Sequence, residues 1–151
     1  MTHLAADRPT PPWPHRRWKG PWLLAVAALH TAYALVVFAE PLREIVRRGV
    51  WASVRRDPVL GAAVWFVLFG ILFALLAWAV LQLERHGGPA AEATLRPLGF
   101  GLLALALLGA VLMPPSGFWL VLPPALAMCA ARPRRLAPST TATPGTRKTA
   151  P

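Results

Sequence analysis

His30 is the residue best placed for chemistry. It lies midway along "PWLLAVAALHTAYALVVFA", residues 21–39, which contain no charge. An imidazole can ligate a metal, carry a proton or hydrogen-bond a ligand. Thr31 is adjacent, and Tyr33 falls on the same face of a helix. Trp65 and Phe66 lie about two turns into a second apolar stretch, and Ser116 and Trp119 belong to "MPPSGFW", residues 113–119. These positions predict a pocket lined by His30, Tyr33, Trp65, Ser116 and Trp119, set in the half of the molecule away from the chain ends. The plainer alternative is a histidine with one interhelical hydrogen bond, surrounded by aromatic rings that only pack. A single His with no carboxylate, Cys or second His nearby makes a poor metal site. The chain has no glycine-rich phosphate loop, nucleophile elbow or zinc-protease motif, so it offers no catalytic residue. Cys129 is the only cysteine, which excludes an intramolecular disulfide. Nothing in the sequence identifies a cofactor.

The elements that must carry these residues are apolar and helical. The chain has 151 residues, of which 56% are hydrophobic and 15% charged. A soluble domain carries about 25% charge, so the apolar excess here needs an environment other than water. Residues 21–39 would form about 28 Å of helix, close to the roughly 30 Å hydrocarbon layer of a bilayer. They also have the basic flank of a signal peptide. Their apolar region is longer than the usual span of about 7–15 residues, however, and later apolar segments would hold the chain in the membrane. Residues 58–83 predict a second span, followed by a short polar loop, and residues 95–113 a third.

Residues 97–131 are uncharged throughout, yet Pro114, Pro115, Ser116 and Gly117 interrupt them. Two prolines cannot continue a helix, and Ser-Gly favours a turn. A turn facing lipid would leave backbone groups without partners, so this one is expected at a membrane surface. Residues 116–131 would then return as a fourth, short span, with Pro123–Pro124 marking a kink or an irregular turn. The predicted fold is all-α: an integral-membrane four-helix bundle over residues 21–131. The basic, proline-rich tails 1–20 and 132–151 are expected to be disordered.

Orientation follows from the basic residues. The N-terminal tail holds four, the second loop two and the C-terminal tail five, eleven in all against five in the first loop. The positive-inside rule therefore places both termini in the cytoplasm. The first loop, residues 40–57, repeats apolar residues at Leu42, Ile45, Val46, Val50 and Val54, with its arginines mostly off that face. This spacing predicts a short amphipathic helix lying in the interface between spans 1 and 2, anchored by Trp51 and weakened at Gly49. Basic residues spread over both sides of apolar spans argue against a nucleic-acid partner. The expected partners are the bilayer itself, anionic lipids at the basic tails and a small lipophilic ligand. Small residues four apart, Ala28/Ala32, Gly70/Ala74 and Ala106/Ala110, permit close helix contact and leave oligomerisation open.

Three stretches together carry a resemblance: "GPWLLAVAALHTAYALVVFAEPL", "AAVWFVLFG" and "LGFGLLALALLGAVLMPPSGFWLVLPPAL". They resemble a family of small bacterial integral-membrane proteins known as domain-of-unknown-function family 6463. The matching features are His30 in the first span, Ala63, Trp65 and Phe66 early in the second, and Pro114, Ser116, Gly117, Phe118 and Trp119 at the turn. The resemblance implies a four-helix protein of the bacterial cytoplasmic membrane and brings no known activity with it.

Three functions stay open. The first is a non-enzymatic accessory subunit or binder of a small lipophilic molecule. The second is a small transporter or channel with a path near His30. The third is a membrane enzyme subunit with quinone-type chemistry at His30. No span carries Asp, Glu, Lys or Arg in its middle, which disfavours ion-coupled transport.

Overall fold

The computed structural model describes residues 17–130. The order is α1 (Lys19–Val37), α2 (Ala39–Arg47), α3 (Pro58–His86), α4 (Gly88–Leu112), a 3-10 helix (Gly117–Val121) and α5 (Leu122–Ala130). The fold is all-α, and no strand occurs among the described residues. Most of the two tails predicted to be disordered lies outside these residues. Of the N-terminal one, Lys19 and Gly20 already belong to α1.

Local sequence explains the boundaries. α1 and α2 are separated only by Phe38, so the amphipathic helix follows the first long helix almost without a loop. α2 keeps its carboxylates and arginines on neighbouring turns. Glu40 pairs with Arg43, and Glu44 pairs with Arg47 at 3.4 Å and Arg48 at 2.9 Å. The helix stops before Gly49, whose φ is 87°. Val50 and Val54, assigned by periodicity to the helix, lie instead in the irregular segment that follows. Asp57 then caps α3, its side chain accepting from Val59 N and Leu60 N, and Pro58 occupies the first helical turn, where it displaces no hydrogen bond.

The polar loop expected after Leu83 is largely absent. α3 continues through Glu84, Arg85 and His86, and α4 starts at Gly88, leaving Gly87 as the whole connection. Gly87 and Gly88 have φ of 63° and 88°, a left-handed backbone that lets the chain reverse within two residues. The third long helix therefore begins seven positions before residue 95, the start predicted from apolar run length, and takes in Arg96 and Pro97. At the far end, Pro123 and Pro124 do not kink a span. They occupy the first turn of α5, just where the 3-10 helix gives way to α-helix.

Two helix pairs build the core. α1 and α3 run antiparallel, with Gly20 against Leu81 and Thr31 against Gly70. Small residues recur every seven positions along the seam: Gly20, Ala27 and Ala34 on α1, and Ala63, Gly70 and Ala77 on α3, all buried. α4 pairs with the last segment. A Cβ at Gly99 would lie 2.6 Å from that of Met128, and the Phe118 ring covers Gly109. Leu23, Phe73, Val80, Leu102, Val121 and Met128 fill the space between the pairs.

The second pair lies across the first. Trp22, three residues into α1, donates Nε1–H to Leu120 O at 2.8 Å. In strictly parallel alignment, Leu120 would sit near the level of Gly109, on the order of 20 Å further along the axis than Trp22. The α4–α5 hairpin is therefore inclined to α1.

The outside of the molecule is apolar. α1, α3 and α4 are each long and hydrophobic enough to cross a membrane, with mean hydropathy of 1.6, 2.7 and 2.0 in their most apolar windows. Only 22, 22 and 33% of those windows are buried, so most of these side chains face outward.

Candidate functional site

Two polar groups enter the α1–α3 seam, one near its middle and one at its end. His30 projects from α1 onto α3, where Nε2 lies 3.0 Å from Phe66 O. A carbonyl only accepts, so Nε2 carries the hydrogen and donates. The same carbonyl, four residues before Gly70 on α3, serves that helix's own ladder. The imidazole can approach it because Gly70 has no side chain. A Cβ there would lie 2.6 Å from Thr31 Oγ1 and 3.1 Å from His30 Cδ2. Thr31 keeps its hydroxyl within α1, donating to Ala27 O at 2.9 Å.

Aromatic rings enclose the imidazole. Phe66 stacks on it with centroids 4.2 Å apart and planes 8° from parallel, and Phe69 lies tilted at 5.6 Å. Tyr33 and Phe38 reach the same Phe66 ring at 6.2 and 5.3 Å. With Nε2 acting as donor, Nδ1 of a neutral ring is a bare acceptor, and it has no hydrogen-bond partner among the described residues. The site can therefore receive a hydrogen bond beside two aromatic rings, Phe66 and Phe69. Among the described residues no group of three His, Cys, Asp or Glu gathers in a metal-holding arrangement.

The five residues expected in one pocket are distributed as follows. His30 and Tyr33 meet through Phe66. Trp65, one position from Phe66, turns outward and is 74% exposed. Trp119 closes its own turn, donating Nε1–H to Pro114 O at 2.8 Å. Ser116 Oγ is buried without a hydrogen-bond partner. No hydrogen bond or ring contact joins Ser116 or Trp119 to the His30 cluster.

The second polar group is Glu84, which composition had assigned to a solvated loop. Its carboxylate is buried against the start of α1. Oε1 accepts from Lys19 N at 3.2 Å, Oε2 accepts from Gly20 N at 2.7 Å, and Lys19 Nζ lies 2.9 Å from Oε1. The first N–H groups of a helix lack partners inside it, and its dipole favours an anion there. Trp18, at the cap position, does not cap the helix with its side chain, so Glu84 performs that role from another helix. Lys19 balances the charge, as a buried carboxylate requires.

Trp22 was also missed, and here a signal was available. Pro124 has no N–H, so Leu120 O, four residues earlier, loses its helical donor. The Trp22 indole supplies one from α1. A Pro-Pro pair inside an apolar helix implies such a donor elsewhere in the chain.

No curated protein and no solved structure matches the chain. The family of unknown function DUF6463 matches residues 14–135, which include the His30 cluster, the Glu84 contact and the proline-marked turn. The chain belongs to that family.

Proposed function

We propose that this chain is a multi-pass membrane protein without chemistry of its own, which binds a small lipophilic molecule or a partner subunit beside His30. The supporting observation is the His30 site: an imidazole whose Nε2 is engaged, whose Nδ1 is bare, and which packs on Phe66 and Phe69, with Tyr33 reaching Phe66. Polar groups at membrane depth are costly unless they have partners or serve a ligand. The outward apolar faces of α1, α3 and α4 support membrane embedding. α3 and α4 measure about 43 and 37 Å as ideal helices, longer than the roughly 30 Å hydrocarbon layer, and tilt accommodates the excess.

In this reading α1 and α3 cross the bilayer, α4 and Gly117–Ala130 enter it as an inclined hairpin whose turn stays at the depth of Trp22, and both termini face the cytoplasm of a bacterial cell. α2 lies in the opposite interface with Leu42, Ile45 and Val46 toward the lipid. Transport would need a polar path through His30, Thr31, Tyr33 and Ser116, and against one stands the lack of any hydrogen bond or ring contact between Ser116 and the other three among the described residues.

The test is purification in mild detergent with identification of co-purifying small molecules, for wild type and His30→Leu. A stoichiometric lipophile lost from a variant of unchanged melting temperature supports the reading. A variant that keeps every bound molecule contradicts it.

A further inference from the structure

The segment after α2 is built unlike the rest of the molecule. Between Arg48 and Asp57 the backbone is irregular. Val50, Ala52 and Arg55 have φ of 64°, 52° and 43°, a region that non-glycine residues avoid and a β-branched residue avoids most. Such strain persists where the surrounding structure requires it, and it concentrates at ligand sites. The amide N–H groups of Ala52, Arg55 and Arg56 have no hydrogen-bond acceptor among the described residues. Backbone of this kind, with free N–H groups and a left-handed twist, forms concavities that suit anions.

Side chains point to the same ligand. Arg48, Trp51, Ala52, Ser53 and Arg55 line a concavity of about 400 Å³. The segment's carboxylates are already committed. Glu40 and Glu44 pair with arginines of α2, and Asp57 caps α3. Arg55 and Arg56 have no ion-pair partner among the described residues. Five arginines against Glu40, Glu44 and Asp57 leave residues 40–57 at +2. Trp51 is 93% exposed beside them, and an indole held at a water–lipid boundary is favoured there.

We infer that residues 48–56 form a binding site for the phosphate of an anionic phospholipid headgroup, with Arg55 on the phosphate, Arg56 beside the concavity adding positive charge, and Trp51 in the adjoining acyl boundary. The inference rests on the membrane reading above. It is distinct from attraction between lipid and the basic tails, because it assigns the contact to a built concavity at the opposite end of the helix pair.

The experiment compares wild type, Arg55→Gln/Arg56→Gln and the tail variant Arg134→Gln/Arg135→Gln, which removes the same charge. Each is purified in nonionic detergent and titrated with phosphatidylglycerol, phosphatidylcholine or inorganic phosphate, with bound lipid counted by native mass spectrometry. Wild type should retain phosphatidylglycerol in preference to phosphatidylcholine. The loop variant should weaken that binding about tenfold or more, since each surface arginine contributes roughly fivefold, and the tail variant less than about twofold. Excess inorganic phosphate should not displace the lipid. Equal losses in the two variants, or none in the loop variant, would overturn the site, and displacement by phosphate would overturn the lipid as its ligand. Recovery of wild type without detergent from the soluble fraction would refute the membrane reading itself, a result separable from all of these.

Discussion

The two helix pairs solve the same packing problem with different means. Both bring backbones close through small residues, Gly70 on α3 and Gly99 on α4. The α1–α3 pair adds polar contacts at fixed depths, His30 on Phe66 O and Glu84 on the first N–H groups of α1. Between α4 and α5 no side-chain hydrogen bond or ion pair occurs among the described residues. That pair is held by shape, Met128 at Gly99 and Phe118 at Gly109. A polar tie to the other pair runs from Trp22 of α1 to Leu120. Shape alone tolerates sliding, whereas a carboxylate placed on two N–H groups sets a register. α1 thus defines the positions of both pairs, and the α4–α5 hairpin is positioned by its contact with α1.

This contrast can be broken at its strongest point first. Glu84→Ala removes the acceptor of two α1 N–H groups and leaves Lys19 buried without its carboxylate. Thermal unfolding in detergent should show a loss of about 3–5 kcal/mol, the usual result of breaking a buried pair. Lys19→Met in the same background should recover part of it, since the buried ammonium no longer needs the missing carboxylate.

Overpacking comes next. Gly70→Val forces α1 away from α3 at the level of Thr31 and should cost about 1–3 kcal/mol, with the His30 bond lost as well. Leu107→Val, on an exposed surface of α4, should change the same melting curve by no more than about 0.5 kcal/mol.

The tie between the pairs gives a sharper result. Trp22→Phe leaves Leu120 O without its donor and should cost about 1–2 kcal/mol. Pro124→Ala restores a helical N–H four residues after Leu120, so the Trp22→Phe penalty should shrink in that background. Additive penalties in this double-mutant cycle would show that the indole does not answer the proline.

The smallest effect is expected at His30. His30→Phe keeps the aromatic stack and loses one interhelical hydrogen bond, which within a membrane averages about 0.6 kcal/mol. A much larger loss would make His30 a structural fastener and weaken its reading as a ligand site.

The long apolar helices were legible as runs of uncharged residues, but α3 and α4 extend beyond those runs, through Glu84–His86 and from Gly88. The amphipathic α2 was legible from the spacing of Leu42, Ile45 and Val46, but its end was not, since the same spacing ran on through Val50 and Val54, past the break at Gly49. An interhelical bond from His30 was one of two readings its position allowed; its acceptor, Phe66 O of α3, was not legible. Glu84 was not legible, since its partners Lys19 and Gly20 stand more than sixty positions away and its neighbours Arg85, His86 and Gly87 read as a loop. The inclination of the α4–α5 hairpin was also hidden. It depends on a tertiary bond from Trp22, and hydropathy carries no information about angle. The grouping of Ser116 and Trp119 with His30 assumed aligned helices, and local turn bonds at Pro114 take up Trp119 instead.

Accessibility labelling in intact cells tests the membrane account most directly. In a Cys129→Ala background, a membrane-impermeant thiol reagent should label Trp51→Cys from outside and leave a cysteine in either tail unlabelled until the cells are opened. Labelling of a tail cysteine in sealed cells, with Trp51→Cys protected, would contradict the topology; a chain recovered in the soluble fraction would contradict the membrane itself.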